Sequence, residues 1–243
     1  MKSIHLLNAV IKMLWLVLVR RLGTRAFYDA YSHEYDTLVR DQPEAADARQ
    51  FLDEYLASHG IRITSLLEAG CGTGQFSRRL VGLAGDLHGV DFSQAQLERA
   101  QEKGLPMTFA HGDVLALPYP DDRFDLVTSF ELLAHLPGEE ATYCREAHRV
   151  LKPGGVLVLD AVKRPPNLSP LARVAANLRT EARIVLVKLT NIDSWTNPPS
   201  DEYLLDALSQ AGFEAEVFAR TYGRSWRFFV GRKPGPSNGS STD

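Results

Sequence analysis

"LLEAGCGTGQFS" (Leu66–Ser77) decides the fold. Leu66 and Leu67 lead into three glycines at alternate positions, Gly70, Gly72 and Gly74, and an acid, Glu68, stands two places ahead of the first. A glycine turn between an apolar strand and a helix-forming stretch aims backbone N–H groups and the helix dipole at a ligand. The dinucleotide fingerprint for such a turn is GxGxxG. Here the third glycine comes one residue early, and Gln75 occupies the place of the fingerprint glycine. Glu68 would lie beside any pyrophosphate, where like charges repel, and would instead attract an ammonium group.

From residue 64 onward, apolar runs alternate with helical patterns. "TSLLEA", "LHGVD", "MTFA", "FDLVTSF" and "VLVLDAV" read as strands. "GQFSRRLVGLA", "SQAQLERAQEK" with Ser93 as N-cap, and "GEEATYCREAHRVLK" read as the helices between them. "KPGG" (Lys152–Gly155) reads as a turn, "SDEYLLDALSQAGF" as a helix capped by Ser200, and "EAEVFART" and "RSWRFFVGR" as two closing strands. The alternation predicts an α/β fold, a doubly wound, mostly parallel sheet of seven strands with helices on both faces. In such a sheet a ligand sits beyond the strand C-termini, where the strand order reverses.

Acids recur at those strand ends. Asp91 closes the second strand, 23 residues after Glu68, where a carboxylate suits ribose hydroxyls. Asp113 follows the third strand and can accept from an adenine amino group, while Val114 offers an N–H and an apolar wall. Glu131 lies just past the fourth. S-adenosylmethionine fits such a rim, with an ammonium, a sulfonium, one carboxylate and no phosphate.

These motifs, in order with "GVDFS", "GDVLALPYPDDRFDLVTSFELLAHLP" and "REAHRVLKPGGVLVLD", resemble the class I S-adenosylmethionine-dependent methyltransferases over roughly residues 64–162. They look most like the small-molecule branch that includes the ubiquinone and menaquinone biosynthesis methyltransferases. The resemblance implies a Rossmann-like sheet whose last strand is antiparallel, N-terminal helices, and an acceptor lid before the last helix. It implies that Gly70, Gly72 and Gly74 cradle the methionine part, that Asp91 holds the ribose with its neighbour Phe92 also at the cofactor, and that Asp113 and Val114 hold adenine. Phe130 would follow the fourth strand beside the cofactor. "FYDAYSHEYD" (Phe27–Asp36) resembles the segment that closes over the cofactor in this branch, where Tyr28, Tyr31 and Tyr35 either cover the sulfonium or serve as ordinary lid or core aromatics.

Methyl transfer needs a positioned acceptor, and a base only if the acceptor must lose a proton. His135 in "FELLAHLP" is the base candidate; the alternative is a histidine that packs or caps the next turn. The ubiquinone-type O-methyltransferases carry a Glu-x-x-Glu-His run here for a divalent metal. This chain reads Glu131-Leu132-Leu133-Ala134-His135, which removes one carboxylate, so no metal is expected.

The rest of the chain bounds the partners. A net charge of −3 gives no field that would draw the protein to nucleic acid, and Cys71 and Cys144 form neither a zinc pattern nor a disulfide framework, which suits the cytoplasm. "IHLLNAVIKMLWLVLV" (Ile4–Val19), followed by Arg20–Arg21, is apolar. As a helix it would be about 24 Å long, short for a span. It is open to three readings: a helix packed on this domain or on a second copy in a homodimer, a peripheral membrane helix, or an anchor. Residues 1–44 are expected to form an N-terminal helical segment and lid, residues 45–232 the catalytic domain, and residues 233–243 a disordered tail. Within that domain, residues 163–199 carry Lys163, Arg164, Arg173, Arg179, Arg183 and Lys188 among apolar patches. They read as a basic-faced amphipathic helix pair or as a lid for a small lipophilic or anionic acceptor. "NPP" (Asn197–Pro199) sits in this insertion rather than after the fourth strand, where amino-group methyltransferases of nucleic acid or protein carry it, and reads as a turn. Three alternatives to a methyltransferase of small molecules stay open at this point: a fold member with cyclase-like or pure binding function, a nicotinamide-dependent oxidoreductase, and an RNA methyltransferase.

Overall fold

The structure is a computed structural model and describes residues 28, 29, 32, 43–136, 138–162, 200–218 and 226–235. Ile4–Val19, Tyr31, Tyr35, the insertion 163–199 with its Asn197–Pro199 turn, and the tail beyond 235 lie outside the described residues.

The chain order is α1 (Pro43–Ser58), β1 (Ser65–Ala69), α2 (Ser77–Leu80), β2 (Asp86–Asp91), α3 (Gln94–Glu102), β3 (Thr108–His111) and β4 (Phe124–Ser129). A single 3-10 turn (Leu133–His135) follows, then α4 (Glu140–Val150), β5 (Leu151–Val162), α5 (Asp201–Gln210), β6 (Glu214–Phe218) and β7 (Trp226–Arg232). The seven strands form one sheet in the order β3-β2-β1-β4-β5-β7-β6. β1 pairs in parallel with both β2 and β4, so the order reverses there. β7 is antiparallel to β5 and β6, as expected of the last strand, and lies between them.

Period-two alternation along the strands builds two cores. Leu67, Val127, Leu157 and Phe229 pack under α4 and α5 with Tyr143, Ala147, Leu204 and Leu208. Leu66, Leu126, Val156 and Phe228 face the other way, onto α1. α1 was not assigned from the sequence, yet it buries Ala48, Phe51, Leu52, Tyr55 and Leu56, the i, i+3, i+4, i+7, i+8 stripe of an amphipathic helix.

Three local expectations are corrected. The helix expected over "GQFSRRLVGLA" shrinks to the four residues of α2, because Val81 turns extended (ψ 131°) and Gly82 takes a φ of +85°. "KPGG" does not separate helix from strand; it bulges out of β5, whose pairing jumps from Phe124↔Leu151 to Leu126↔Val156. Lys233, expected in a loose tail, is held: its ammonium donates to Asp122 Oδ1 at 2.8 Å and to the carbonyls of His148 and Leu151. Ser93 and Ser200 cap α3 and α5 as expected, accepting from the N–H groups of Gln96 and Tyr203.

At the opposite, N-terminal end of the sheet, Asp125 Oδ2 accepts from the backbone N–H groups of Thr64 and Ser65 at 2.8 and 2.9 Å, and Oδ1 accepts from Lys152 Nζ at 2.7 Å. Partial burial pushes this carboxyl up, but the Lys152, Thr64 and Ser65 hydrogen bonds outweigh it and hold it well below the usual range. Asp125→Ala is expected to cost about 2 kcal/mol in urea unfolding at pH 7, since two backbone donors lose their acceptor. The folded pKa lies below the unfolded one, so the difference from wild type should persist above about pH 4 and shrink as the pH falls further. Among the described residues no helix is long and apolar enough to cross a membrane.

Candidate active site

The glycine turn leaves β1 in a left-handed conformation. Gly70, Gly72 and Gly74 have φ of +74°, +52° and +76°. At two of them a side chain would also be crowded. A Cβ on Gly70 would stand 2.8 Å from Leu132 Cδ1, and one on Gly74 would meet Ala100 of α3 at 3.1 Å. Gly74 therefore sets how closely the turn packs on α3, and Gly70 how closely it approaches the chain after β4.

Asp91 fastens the turn to β2. Its Oδ2 accepts from Gly72 N at 2.8 Å and its Oδ1 from Ser93 N at 2.9 Å. It is 5% exposed, and burial raises its pKa while these N–H groups pull it back. Asp91, Gly70 and Gly72 line a crevice together with Tyr28, Phe92, Gln96, Asp113, Val114, Phe130, Glu131, Leu132, His135 and Leu136. About 860 Å³ of empty space lies there, part of it open to solvent. The crevice sits at the C-terminal strand ends where the sheet order reverses.

Each wall has its own support. Asp113 Oδ1 accepts from Leu115 N at 2.9 Å. The segment that follows is clamped by α4: Arg149 donates to the carbonyls of Leu117 and Tyr119, and Glu146 accepts from Leu117 N. Phe130 stacks on Phe76 with ring centroids 4.4 Å apart. Glu131 has a φ of +58°, and its N–H donates to the buried Asp160 at 2.8 Å. This bond holds the turn after β4, and with it Leu132 and the 3-10 turn that carries His135.

Tyr28 lines the crevice beside His135. Its hydroxyl lies 2.9 Å from His135 Nε2, and its ring meets His135 and Phe92 edge-on at 5.2 and 6.1 Å. The next residue, Asp29, accepts from Ser93 Oγ at 2.5 Å, which docks this segment on the cap of α3. Burial lowers the His135 pKa to about 4, so the imidazole is neutral at pH 7.

Of the residues singled out from the sequence, the structure gathers Tyr28, Gly70, Gly72, Asp91, Phe92, Asp113, Val114, Phe130, Glu131 and His135 around one crevice. Glu68 and Gly74 lie outside its lining. Glu68 is 2% exposed and accepts a hydrogen bond from Ser77. Burial, with Asp91 nearby, raises its pKa to about 8, which leaves it mostly protonated at pH 7 instead of presenting the negative charge expected at the strand end. Gln96, Leu132 and Leu136 were missed. For Gln96 there was a signal: a polar residue falls on the buried stripe of α3, beside Leu97 and Ala100.

A doubly wound sheet with a bent glycine turn and a buried acid at the next strand end forms a nucleotide-cofactor crevice of Rossmann-like type. The family described as a methyltransferase domain matches residues 66–155. Over 188 residues the chain is 31% identical to a demethylmenaquinone methyltransferase of Anoxybacillus flavithermus, covering 70% of this chain and 78% of that protein. Over 100 residues it is 41% identical to a 2-methyl-6-phytyl-1,4-hydroquinone methyltransferase of Synechocystis, covering 40% of this chain and 31% of the relative. A solved structure described as a putative sarcosine dimethylglycine methyltransferase from Galdieria sulphuraria superimposes with a TM-score of 0.58 at 17% identity, over 78% of this chain and 86% of that one. The chain belongs to the class I S-adenosylmethionine-dependent methyltransferases and resembles their quinone-biosynthesis members. S-adenosylmethionine is its cofactor.

Proposed function

We propose that the crevice holds S-adenosylmethionine along Asp91 and the glycine turn, and that the acceptor is a small lipophilic molecule with a phenolic hydroxyl, of the hydroquinone type. The residues fit the cofactor. The turn offers bent backbone, Asp91 a buried carboxylate for a diol, Asp113 an acceptor for an amino group, and Phe92 and Val114 apolar surface for a purine. The bound cofactor supplies a methyl group on a positively charged sulfur.

The observation that carries the acceptor class is the neutral imidazole of His135, set between Leu132 and Leu136 on the side of the crevice reached by Tyr28. An uncharged imidazole can accept a proton, and its leucine neighbours suit an apolar ring; burial makes it a weaker base than a free histidine, so the acidity of a phenolic hydroxyl shares the task. His135 takes that proton as the methyl group moves, and the Tyr28 hydroxyl keeps the imidazole in place. Loss of a phenolic proton raises electron density on the oxygen and on the ortho ring carbons, so the same base serves O-methylation, or C-methylation in which the ring proton of the methylated carbon then returns to the oxygen; S-adenosylhomocysteine leaves in both. The relatives named for demethylmenaquinone and for a phytylated hydroquinone support an acceptor of this kind.

The test is incubation with S-adenosylmethionine and a panel of short-chain prenylated hydroquinones, phenols and aliphatic amines, followed by release of S-adenosylhomocysteine and product mass. A product 14 mass units heavier is expected with the phenolic compounds. Turnover of the amines alone would replace the acceptor class, and heat on titration with the cofactor would show the crevice assignment to stand apart from it.

A further inference from the structure

Gln96 is 2% exposed and lines the crevice, yet its Oε1 has no hydrogen-bond partner among the described residues. A buried amide oxygen left without a donor is costly, and native interiors rarely keep one without use. Three backbone donors on the turn and at the start of α3 are already committed. A Cβ built on Gly72 would stand 3.4 Å from this oxygen, which places it beside the turn, but the Gly72 N–H is given to Asp91 Oδ2. The Ser93 N–H goes to Asp91 Oδ1, and the Gln96 N–H to Ser93 Oγ. A carboxylate and an amide oxygen therefore border one small region of the crevice, and only the amide oxygen lacks a protein donor. Two neighbouring acceptors complement two neighbouring hydroxyls.

We propose that Gln96 is a positioning residue for the cofactor: its Oε1 accepts a hydrogen bond from one ribose hydroxyl, beside Asp91. The proposal rests on the crevice being the S-adenosylmethionine site. Helix α3 would then read the sugar directly through Gln96, besides supplying the Ser93 N–H that steadies Asp91.

Gln96→Met keeps the length of the side chain and removes the unpartnered oxygen. Two effects of opposite sign are expected. The ligand-free variant should melt at or above the wild-type temperature, because a buried unpaired acceptor is gone. Its affinity for S-adenosylhomocysteine in calorimetry should fall about ten-fold, the usual scale of one hydrogen bond made by a buried group. The 2′-deoxy and 3′-deoxy forms of S-adenosylhomocysteine complete the cycle. For the form lacking the hydroxyl that Gln96 reads, wild type and variant should bind alike, a non-additivity that a packing defect would not produce. Equal affinity of the two proteins for S-adenosylhomocysteine, or losses that simply add with both deoxy forms, would overturn the proposal. If Gln96→Met does not fold, the side-chain amide resonance of Gln96 in wild type serves instead: it should shift on adding S-adenosylhomocysteine and stay put with one deoxy form, and an equal shift with all three ligands would count against it. Wild type that binds S-adenosylhomocysteine while Asp91→Ala binds it equally well would overturn the crevice assignment itself.

Discussion

Asp91→Ala is expected to weaken S-adenosylhomocysteine binding ten- to hundred-fold in calorimetry, about the 1.5–3 kcal/mol of a hydrogen bond to a charged acceptor. Two losses combine. The ligand loses a buried carboxylate, and the glycine turn loses its fastening, since Gly72 N and Ser93 N both give their hydrogen to Asp91. The second loss should also lower the melting temperature of the ligand-free protein, whereas Gln96→Met should not, so the two neighbours are told apart without any turnover measurement. Asp91→Asn is a sharper probe: its amide nitrogen cannot accept, so one of the two N–H groups loses its partner while side-chain volume is kept. An alanine variant with wild-type affinity would remove Asp91 from the cofactor site.

His135→Ala is expected to lower kcat about hundred-fold, at the low end of general-base effects, with cofactor affinity within about three-fold of wild type. The pH dependence carries more information than the loss. Burial holds the imidazole at a pKa of about 4, so the wild-type rate should be flat through neutrality and fall only as the pH approaches 4. The same shift has a sign for stability. The unfolded histidine titrates near 6.5, above the folded value, so the unfolded chain binds more protons between these values and stability declines as the pH drops from about 6.5 to about 4. In His135→Ala that decline should be shallower. Tyr28→Phe keeps the edge-on ring contacts and loses the 2.9 Å bond; a smaller fall in kcat with a raised KM would place Tyr28 in orienting the base. An unaltered kcat in His135→Ala would reduce the residue to packing.

The sheet was legible because its signals are local: period-two apolar runs, glycines that only a left-handed turn demands, and serines one residue ahead of helices. The site was legible to the extent that strand ends can be counted. Asp91 and Asp113 stand where strand ends fall, and both line the crevice. Depth was not legible. Nothing in "LLEAGCGTGQFS" says that Glu68 is turned to Ser77 and buried, since that follows from its parallel register with Gly89 and Thr128 on both flanks. Long-range ties were not legible either: the Glu131 N–H bond to Asp160 and the Lys233 staple join positions 29 and 111 residues apart. α1 escaped because its stripe mixes Ala48 and Tyr55 with charged neighbours and is fixed by the β-strand face it covers.

The placement of β7 governs how this chain can come off a ribosome. The last of the described strands in chain order is an inner one, seated between β5 and β6. Until Trp226–Arg232 emerges, both of those neighbours keep a raw hydrogen-bonding edge, and the α1-facing core lacks Phe228 and Val230. Completion is therefore a late, long-range event, and a nascent chain halted near Phe218 would be a sticky intermediate in want of a chaperone.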